Sequence, residues 1–237
     1  MTAGIHCGIV GIGESAVGEV RGRSTLQLQT DASLAAIADA GLSLDDLDGL
    51  ITTPVRTETW NMPCGVVASH LGLKPQYLST LDLAGATGAA MIHHAALAVA
   101  SGQCTTVLCV AWQNLLSSRS RASAVRLLAE SGAAHPQFEA PYGPLIPSNY
   151  ALIARRHMHE YGTTEEQMAE VAVTMRRHAS LNSNAHQRKL ITVEDVLNSP
   201  PITSPLKRFD CALVSDGAAA ALVTTRERAR KAVQDRA

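Results

Sequence analysis

Four small residues, Gly85-Ala86-Thr87-Gly88, stand where strand-like sequence gives way to helix-like sequence. First-turn amides of a helix have no partner inside it, and the helix dipole adds positive potential at that end. Such a junction stabilises negative charge, which suits an oxyanion or an enolate. The same residues fit a packing role, in which missing side chains let the helix lie close to a sheet. Nothing in the junction is itself a nucleophile. Within the surrounding stretch, residues 81–110, Asp82 is the only formal charge.

Other residues with chemical potential are scattered. Cys64 lies in the expected first turn of a helix, where a thiol pKa can fall. No His or Asp is placed beside it by sequence, so a buried, inert thiol is the expectation. The five cysteines are widely spread and form no C-x-x-C pair, which argues against zinc and against a disulfide framework. Arg176-Arg177-His178 closes an expected helix, and His186, Arg188 and Lys189 follow. That cluster either complements a helix dipole or offers a cationic surface to the phosphates of a large anionic substrate. Residues 11–16 fit G-x-G-x-x-A after a strand, but the next helix begins about a dozen residues late for a dinucleotide site. His93 and His94 read as core histidines, since neither has a triad around it.

The elements that must position these residues follow from periodicity. Residues 6–12 read as a buried strand and 13–22 as a glycine-rich loop. An amphipathic helix over 25–40 stops at Gly41. "DGLITTP" is a second strand. A helix runs to Gly72, opened by Asn61 as cap and Pro63 in its first turn. "QYLSTLDL" is a third strand, 88–101 a helix and "TTVLCVAW" a fourth strand. From about 114 to 209 Pro, Asn, Ser and charges become common, with helices over 148–161 and 164–179. The latter is opened by a capping box from either Thr163 or Thr164. "SDGAAAALVTT" is a last strand and "RERARKAVQDRA" a polar tail. Strands alternating with helices imply a largely parallel sheet covered on both faces.

The helix over 88–101 is apolar nearly all round, and such a helix belongs in an interior. One sheet covers one of its faces; the other would expose a patch larger than soluble monomers show. A second sheet, from a further half or a partner chain, is expected on it. The bulk numbers agree with an α/β core. There are 237 residues, 46% of them hydrophobic and only 3% aromatic, so Ala, Val, Leu and Ile must fill it. A net charge of −1 gives no case for nucleic acid. The apolar run over 84–100 is too short and too interrupted to span a bilayer, and no signal-like start is seen. The expected compartment is the cytoplasm, with no membrane association.

The order of elements, with "NMPCGVVASHLGL", "YALIARRHMHEYGTTEEQMAEVAVTMRRHASLNSNAHQ" and "ITVEDVLNSPPITSPLKRFDCALVSDGAAAALV", resembles the N-terminal half of thiolases. The likeness covers essentially the whole chain and is nearest to the sterol-carrier-protein or lipid-transfer-protein branch. It implies a thiolase-like N-terminal domain over 1–237: a mixed, mostly parallel five-stranded sheet, helices on both faces, and a long helical insertion at about 114–209. The C-terminal thiolase half is expected as a separate or missing part. The family carries its nucleophile in a C-x-x-G elbow. Setting that Gly on Gly88 puts the nucleophile position at Gly85, so no cysteine is available to hold an acyl group. Cysteine-lacking relatives in this branch include aldolases that cleave β-hydroxyacyl-CoA thioesters, notably with steroid side chains, beside an OB-fold, zinc-ribbon partner. The resemblance thus implies retro-aldol cleavage of an acyl-CoA, with the amides around Gly85, Thr87 and Gly88 serving the enolate. Tyr142 and Gly143 match a substrate-facing loop, although a packed loop aromatic is an equal reading of Tyr142. With a coenzyme A thioester as substrate, Arg177 and His178 become substrate-binding candidates. No covalently bound cofactor and no metal are implied. Homodimerisation is expected through the third strand. The alternatives are a non-catalytic acyl-CoA- or lipid-binding subunit, or an acyltransferase using another nucleophile such as Cys64.

Overall fold

The computed structural model of the chain describes residues 6–120, 122–124, 127, 135, 137–142 and 146–234. In chain order the elements begin with β1 (Cys7–Glu14), α1 (Thr25–Ala40), β2 (Gly49–Thr52), α2 (Pro63–Leu71), β3 (Tyr77–Thr80), α3 (Thr87–Ala100), β4 (Thr106–Gln113) and the short α4 (Leu115–Ser118). Then come α5 (Ile146–Tyr161), α6 (Glu165–Leu181), α7 (Val193–Leu197), β5 (Pro201–Thr203) and β6 (Leu206–Lys207). The last elements are β7 (Gly217–Thr225) and α8 (Arg226–Gln234). They form two compact units, 1–118 with 215–237, and 119–214.

The first unit is built on a five-stranded sheet of order β1-β7-β4-β2-β3. β2 pairs in parallel with β3 and β4, while β7 runs antiparallel to β1 and β4. Four strands therefore share a direction and β7 alone opposes them, which is the mixed, mostly parallel sheet expected. β1 and β3 are its edges. Side chains alternate between the faces with the period of a strand. Leu50, Leu108, Val110, Trp112 and Leu222 join the core under α1 and α2. Ile51, Val107, Cys109 and Val223 join the core under α3.

Local chemistry accounts for the ends of the elements. Ser24 caps α1 in a reciprocal box with Gln27, and Gly41 ends it at φ 66°. In α2, Pro63 takes the first position, so the cap is Met62 and not the expected Asn61, which falls one residue too early. Thr164, rather than Thr163, caps α6 with Gln167; Thr163 Oγ1 instead lies 2.8 Å from His157 Nδ1. Two further expectations are corrected. β1 does not stop at residue 12 but continues through Gly13 and Glu14. The supposed polar tail folds as α8, because Arg, Glu, Lys, Ala and Gln are all good helix formers.

Two carboxylates, Asp216 buried and Asp48 half-buried, tie the loops of this unit. Asp216, 1% exposed, accepts from Val20 N at 3.0 Å, Leu116 N at 2.8 Å and Ser117 N, and bonds the Ser117 hydroxyl. Asp48 accepts from the amides of Thr105 and Thr106 at 2.8 Å. In the second unit α6 packs against α7. Lys207 Nζ reaches Glu165 at 2.8 Å and Leu197 O at 2.7 Å. Of its described apolar residues, Ala124, Ala151, Ala169 and Val196 are buried.

Candidate functional site

β3 ends at Thr80, and a single 3-10 turn, Ala84–Ala86, carries the chain into α3. The turn is closed by Ala86 N donating to Leu83 O at 3.1 Å and by Thr87 N donating to Ala84 O. Ala84 has φ 49°, the only positive φ at a non-glycine among the described residues. A left-handed conformation at such a residue costs roughly 1–2 kcal/mol. Three side-chain bonds hold it there. Thr87 Oγ1 donates to Ala84 O at 2.7 Å and accepts from Leu83 N at 2.9 Å. Asp82 Oδ1 accepts from Ala84 N at 3.1 Å. Thr87 is buried, whereas residues 82–86 and Gly88 are exposed. The elbow is thus an open surface over a fixed backbone.

The glycines at two places in the unit do different work. A Cβ built on Gly11 or Gly13 would lie 2.3 Å from the backbone oxygen of Ala36 or Ala32. These glycines let α1 sit against β1. That explains the G-x-G run without a nucleotide: the strand continues through it and no helix starts there. A Cβ built on Gly85 or Gly88 meets nothing within 4 Å. Neither has a left-handed φ. Within this chain, close packing does not account for the small residues of the elbow, so the packing reading of that junction is set aside.

The outer flank of α3 is apolar and open in this chain. Met91, Ala95, Ala98 and Val99 are buried against the sheet, while Ala89, His93, His94, Leu97 and Ala100 are exposed. Within this chain His93 and His94 are not core histidines: both rings lie on that flank, exposed and 6.1 Å apart edge to face.

The thiols divide by environment. Burial pushes Cys104 up to about 11, with the Asp48 carboxylate adding to it. Burial pushes Cys109 up to about 12, with Cys104 as the second cause. At neutral pH both remain unreactive thiols. Cys64 is half-buried at the second residue of α2. None of the five is in the elbow. Among the described residues no group of three His, Cys, Asp or Glu side chains converges as a metal site, and no helix is long and apolar enough to cross a membrane.

The remaining candidates lie in the second unit. Tyr142 ends a 3-10 turn over Ala140–Tyr142, its amide donating to Glu139 O at 3.0 Å. Its side chain is 88% exposed, so the packed-aromatic reading fails in this chain. Gly143 lies outside the described residues. Arg177 and His178 are exposed on α6, His178 in its last turn. Arg176, by contrast, is engaged: its Nη1 donates to Lys189 O at 3.0 Å and its guanidinium lies 5.7 Å from the Phe209 ring centre.

Residues 7–227 match the thiolase N-terminal domain family. The chain belongs to that family. This thiolase-family chain is 38% identical over 229 residues to the steroid side-chain-cleaving aldolase of Thermomonospora curvata, covering 94% of this chain and 57% of the relative. It is 34% identical over 233 residues to the acetyl-CoA acetyltransferase of Methanothermobacter thermautotrophicus, covering 94% of this chain and 58% of the relative. The solved structure described as an Ltp2-ChsH2(DUF35) aldolase aligns with a TM-score of 0.75 at 36% identity, over 95% of this chain and 57% of that one. The thiolase-family chain thus spans 57% and 58% of these two curated relatives.

Sequence reasoning missed three residues of the elbow. Asp82 and Ala84 shape it, and Arg56 Nη2 stands 3.7 Å from Asp82 Oδ2. The signal was visible: Asp82 is the one formal charge in a thirty-residue apolar stretch, which asks for a reason. The strain at Ala84 has no such mark in sequence.

Proposed function

We propose that this chain is the N-terminal half of an enzyme that cleaves a carbon–carbon bond in a β-hydroxyacyl-CoA thioester by a retro-aldol step. The observation that carries this reading is Gly85. By the resemblance to the family's C-x-x-G elbow it takes the nucleophile position, and no thiol stands at the elbow to hold an acyl group. Retro-aldol cleavage needs none. A base takes the proton of the β-hydroxyl, and the bond between the α and β carbons breaks. The β carbon leaves as a carbonyl, and the electron pair passes to the thioester as an enolate. Protonation of the α carbon then releases a shortened acyl-CoA. The amides around Gly85, Thr87 and Gly88 donate to the enolate oxygen, where fixed donors act most strongly on charge that develops in the reaction. Tyr142 is the hydrogen-bonding catalytic residue of this half, and Gly143, Arg177 and His178 are its substrate-binding candidates. The proton-transferring groups belong to the C-terminal half. A lipid or steroid side chain is the substrate class, which the names of the aldolase relatives support.

The same reading covers the domain organisation and partners. Residues 1–237 form a thiolase N-terminal half with an insertion at about 114–209, which the compact unit over 119–214 supports, and a C-terminal half lies on the open flank of α3. β3 is a sheet edge with a half-exposed Leu78 and no proline, so a second copy pairs there as a homodimer. An OB-fold, zinc-ribbon protein is the further partner, in line with the DUF35 component named for the aligned aldolase. Five free cysteines fit a reducing cytoplasm.

The test is to co-express the chain with the complementary half and partner of a close relative, then supply a β-hydroxyacyl-CoA. Release of a shortened acyl-CoA and a carbonyl product is expected. Tight binding with no turnover would make the chain a binding subunit instead. Acyl transfer lost on alkylating Cys64 would make it an acyltransferase.

A further inference from the structure

We propose that Asp82, steadied by Arg56, is a positioning residue: its carboxylate holds Ala84 left-handed and thereby fixes where the elbow amides of Gly85 to Gly88 stand during reaction. The inference rests on the function proposed above, which gives those amides their task.

Asp82 has a partner on each side, a hydrogen bond on one and an ion pair on the other. One carboxylate oxygen accepts from Ala84 N at 3.1 Å, and the other lies 3.7 Å from Arg56 Nη2. Arg56 is not a free surface arginine. Its neighbours anchor the loop after β2. Val55 is buried, Thr57 Oγ1 donates to Asn114 Oδ1 at 2.8 Å, and Glu58 bonds the Thr25 hydroxyl at the start of α1. The loop therefore presents Arg56 to Asp82 from a pinned backbone. Thr87 clamps the same turn from the helix side, through Leu83 N and Ala84 O.

An exposed alanine has no reason of its own to stay left-handed. Residues in such conformations persist only where their surroundings over-determine them, and they gather at functional sites. Here the surroundings are Asp82 and Thr87. Within this chain the space above Gly85 and Gly88 is open, so no other part of it takes over their role. If Asp82 lets go, Ala84 relaxes and the amides that follow it move relative to the substrate carbonyl. Displacements of that size at a reacting centre reach about a hundredfold in rate.

The test uses the full-length protein with its partner. Asp82→Ala is expected to lower kcat by about ten- to a hundredfold with KM for the acyl-CoA within about twofold. Glycine adopts a left-handed φ without penalty, so Asp82→Ala with Ala84→Gly is expected to recover most of the lost kcat. A role in overall stability alone would not give that recovery. Wild-type kcat in Asp82→Ala, or no recovery in the double variant, overturns the proposal. If Asp82→Ala does not fold, Asp82→Asn, with and without Ala84→Gly, makes the same comparison. If the wild-type protein turns over no β-hydroxyacyl-CoA, the function reading has failed and the elbow is read directly. Amide hydrogen exchange at residues 85–88 must then speed up in Asp82→Ala and slow again in the double variant. Unchanged exchange sinks the positioning role by itself.

Discussion

α1 and α3 lie on opposite faces of one sheet, and only α1 is finished as a surface helix. α1 buries Leu28, Ala32, Ala36 and Ile37 and turns Gln27, Asp31 and Asp39 outward. α3 buries Met91, Ala95, Ala98 and Val99 and turns outward Ala89, Leu97, Ala100 and two histidines, with no carboxylate, lysine or arginine. The first carries charge on its outer side, although it buries Gln29 and Ser33 and exposes Leu34; the second is apolar on both sides. The glycines follow the same division. Those facing α1 are demanded by contact, and those at the start of α3 are not. One face of this unit is finished by its own packing, and the other is left open in this chain.

Substitution of the core tests that division most strongly. Leu28→Ala, at a side chain with no exposure, is expected to cost about 2–5 kcal/mol in denaturant unfolding. Leu97→Ala, at 43% exposure, is expected to cost under about 1 kcal/mol in the chain alone. Its cost should rise once the complementary half is present. A Leu97→Ala penalty that stays the same in both states would mean that nothing docks on that flank.

Gly13→Ala comes next. Its Cβ would fall 2.3 Å from Ala32 O and 2.4 Å from Ala36 N, both backbone atoms that no rotamer change can move. Shifting α1 off β1 is expected to cost about 1–3 kcal/mol. A midpoint equal to wild type would show that α1 does not need the close approach.

Much of this was legible in sequence, for reasons that can be named. The strands and α1 declare themselves through period and caps, and the charge-free run over 84–100 announced a helix that is apolar nearly all round. β1 beyond residue 12 was hidden because glycine reads as loop, whereas Gly11 and Gly13 are there for a neighbour distant in sequence. α8 was hidden because a polar run looks like a tail until its helix propensity is weighed. At the elbow, Gly85, Thr87 and Gly88 were visible as small residues at a junction. What holds them was not visible, because Asp82 to Arg56 is a contact across twenty-six positions and the φ of Ala84 leaves no trace in composition.

The thiols beneath α3 give a smaller, pH-dependent effect. A folded-state pKa raised from the ordinary 9.0 to about 11 for Cys104 and about 12 for Cys109 means the folded chain keeps protons that the unfolded chain releases. Their contribution is whole below about pH 9 and is lost as pH rises through 11 and 12. Alkaline unfolding should therefore be less steep in Cys104→Ala with Cys109→Ala than in wild type, compared as slopes so that lysines and tyrosines cancel. Identical slopes would show the two thiols to be more solvated than their burial indicates. The α1 face has no thiol beneath it, so the same pH rise should leave the Leu28→Ala penalty unaltered.

Gly88→Ala should have the least effect, and it is the counterpart of Gly13→Ala. The residue is the second of α3, has no left-handed φ, and its Cβ would touch nothing within 4 Å. Alanine in a helical position that it can adopt freely raises stability by about 0.4–1 kcal/mol, chiefly by restricting the unfolded chain. The isolated chain should therefore unfold at a slightly higher denaturant concentration. In the assembled protein the same methyl group stands on the elbow surface, where the proposed enolate lies, and turnover should fall although stability does not. Opposite signs for stability and activity at one glycine, beside matching losses at Gly13, would separate a residue kept small for a ligand from one kept small for a helix. A Gly88→Ala chain that unfolds more easily would place Gly88 with Gly13, and the elbow would return to the packing explanation.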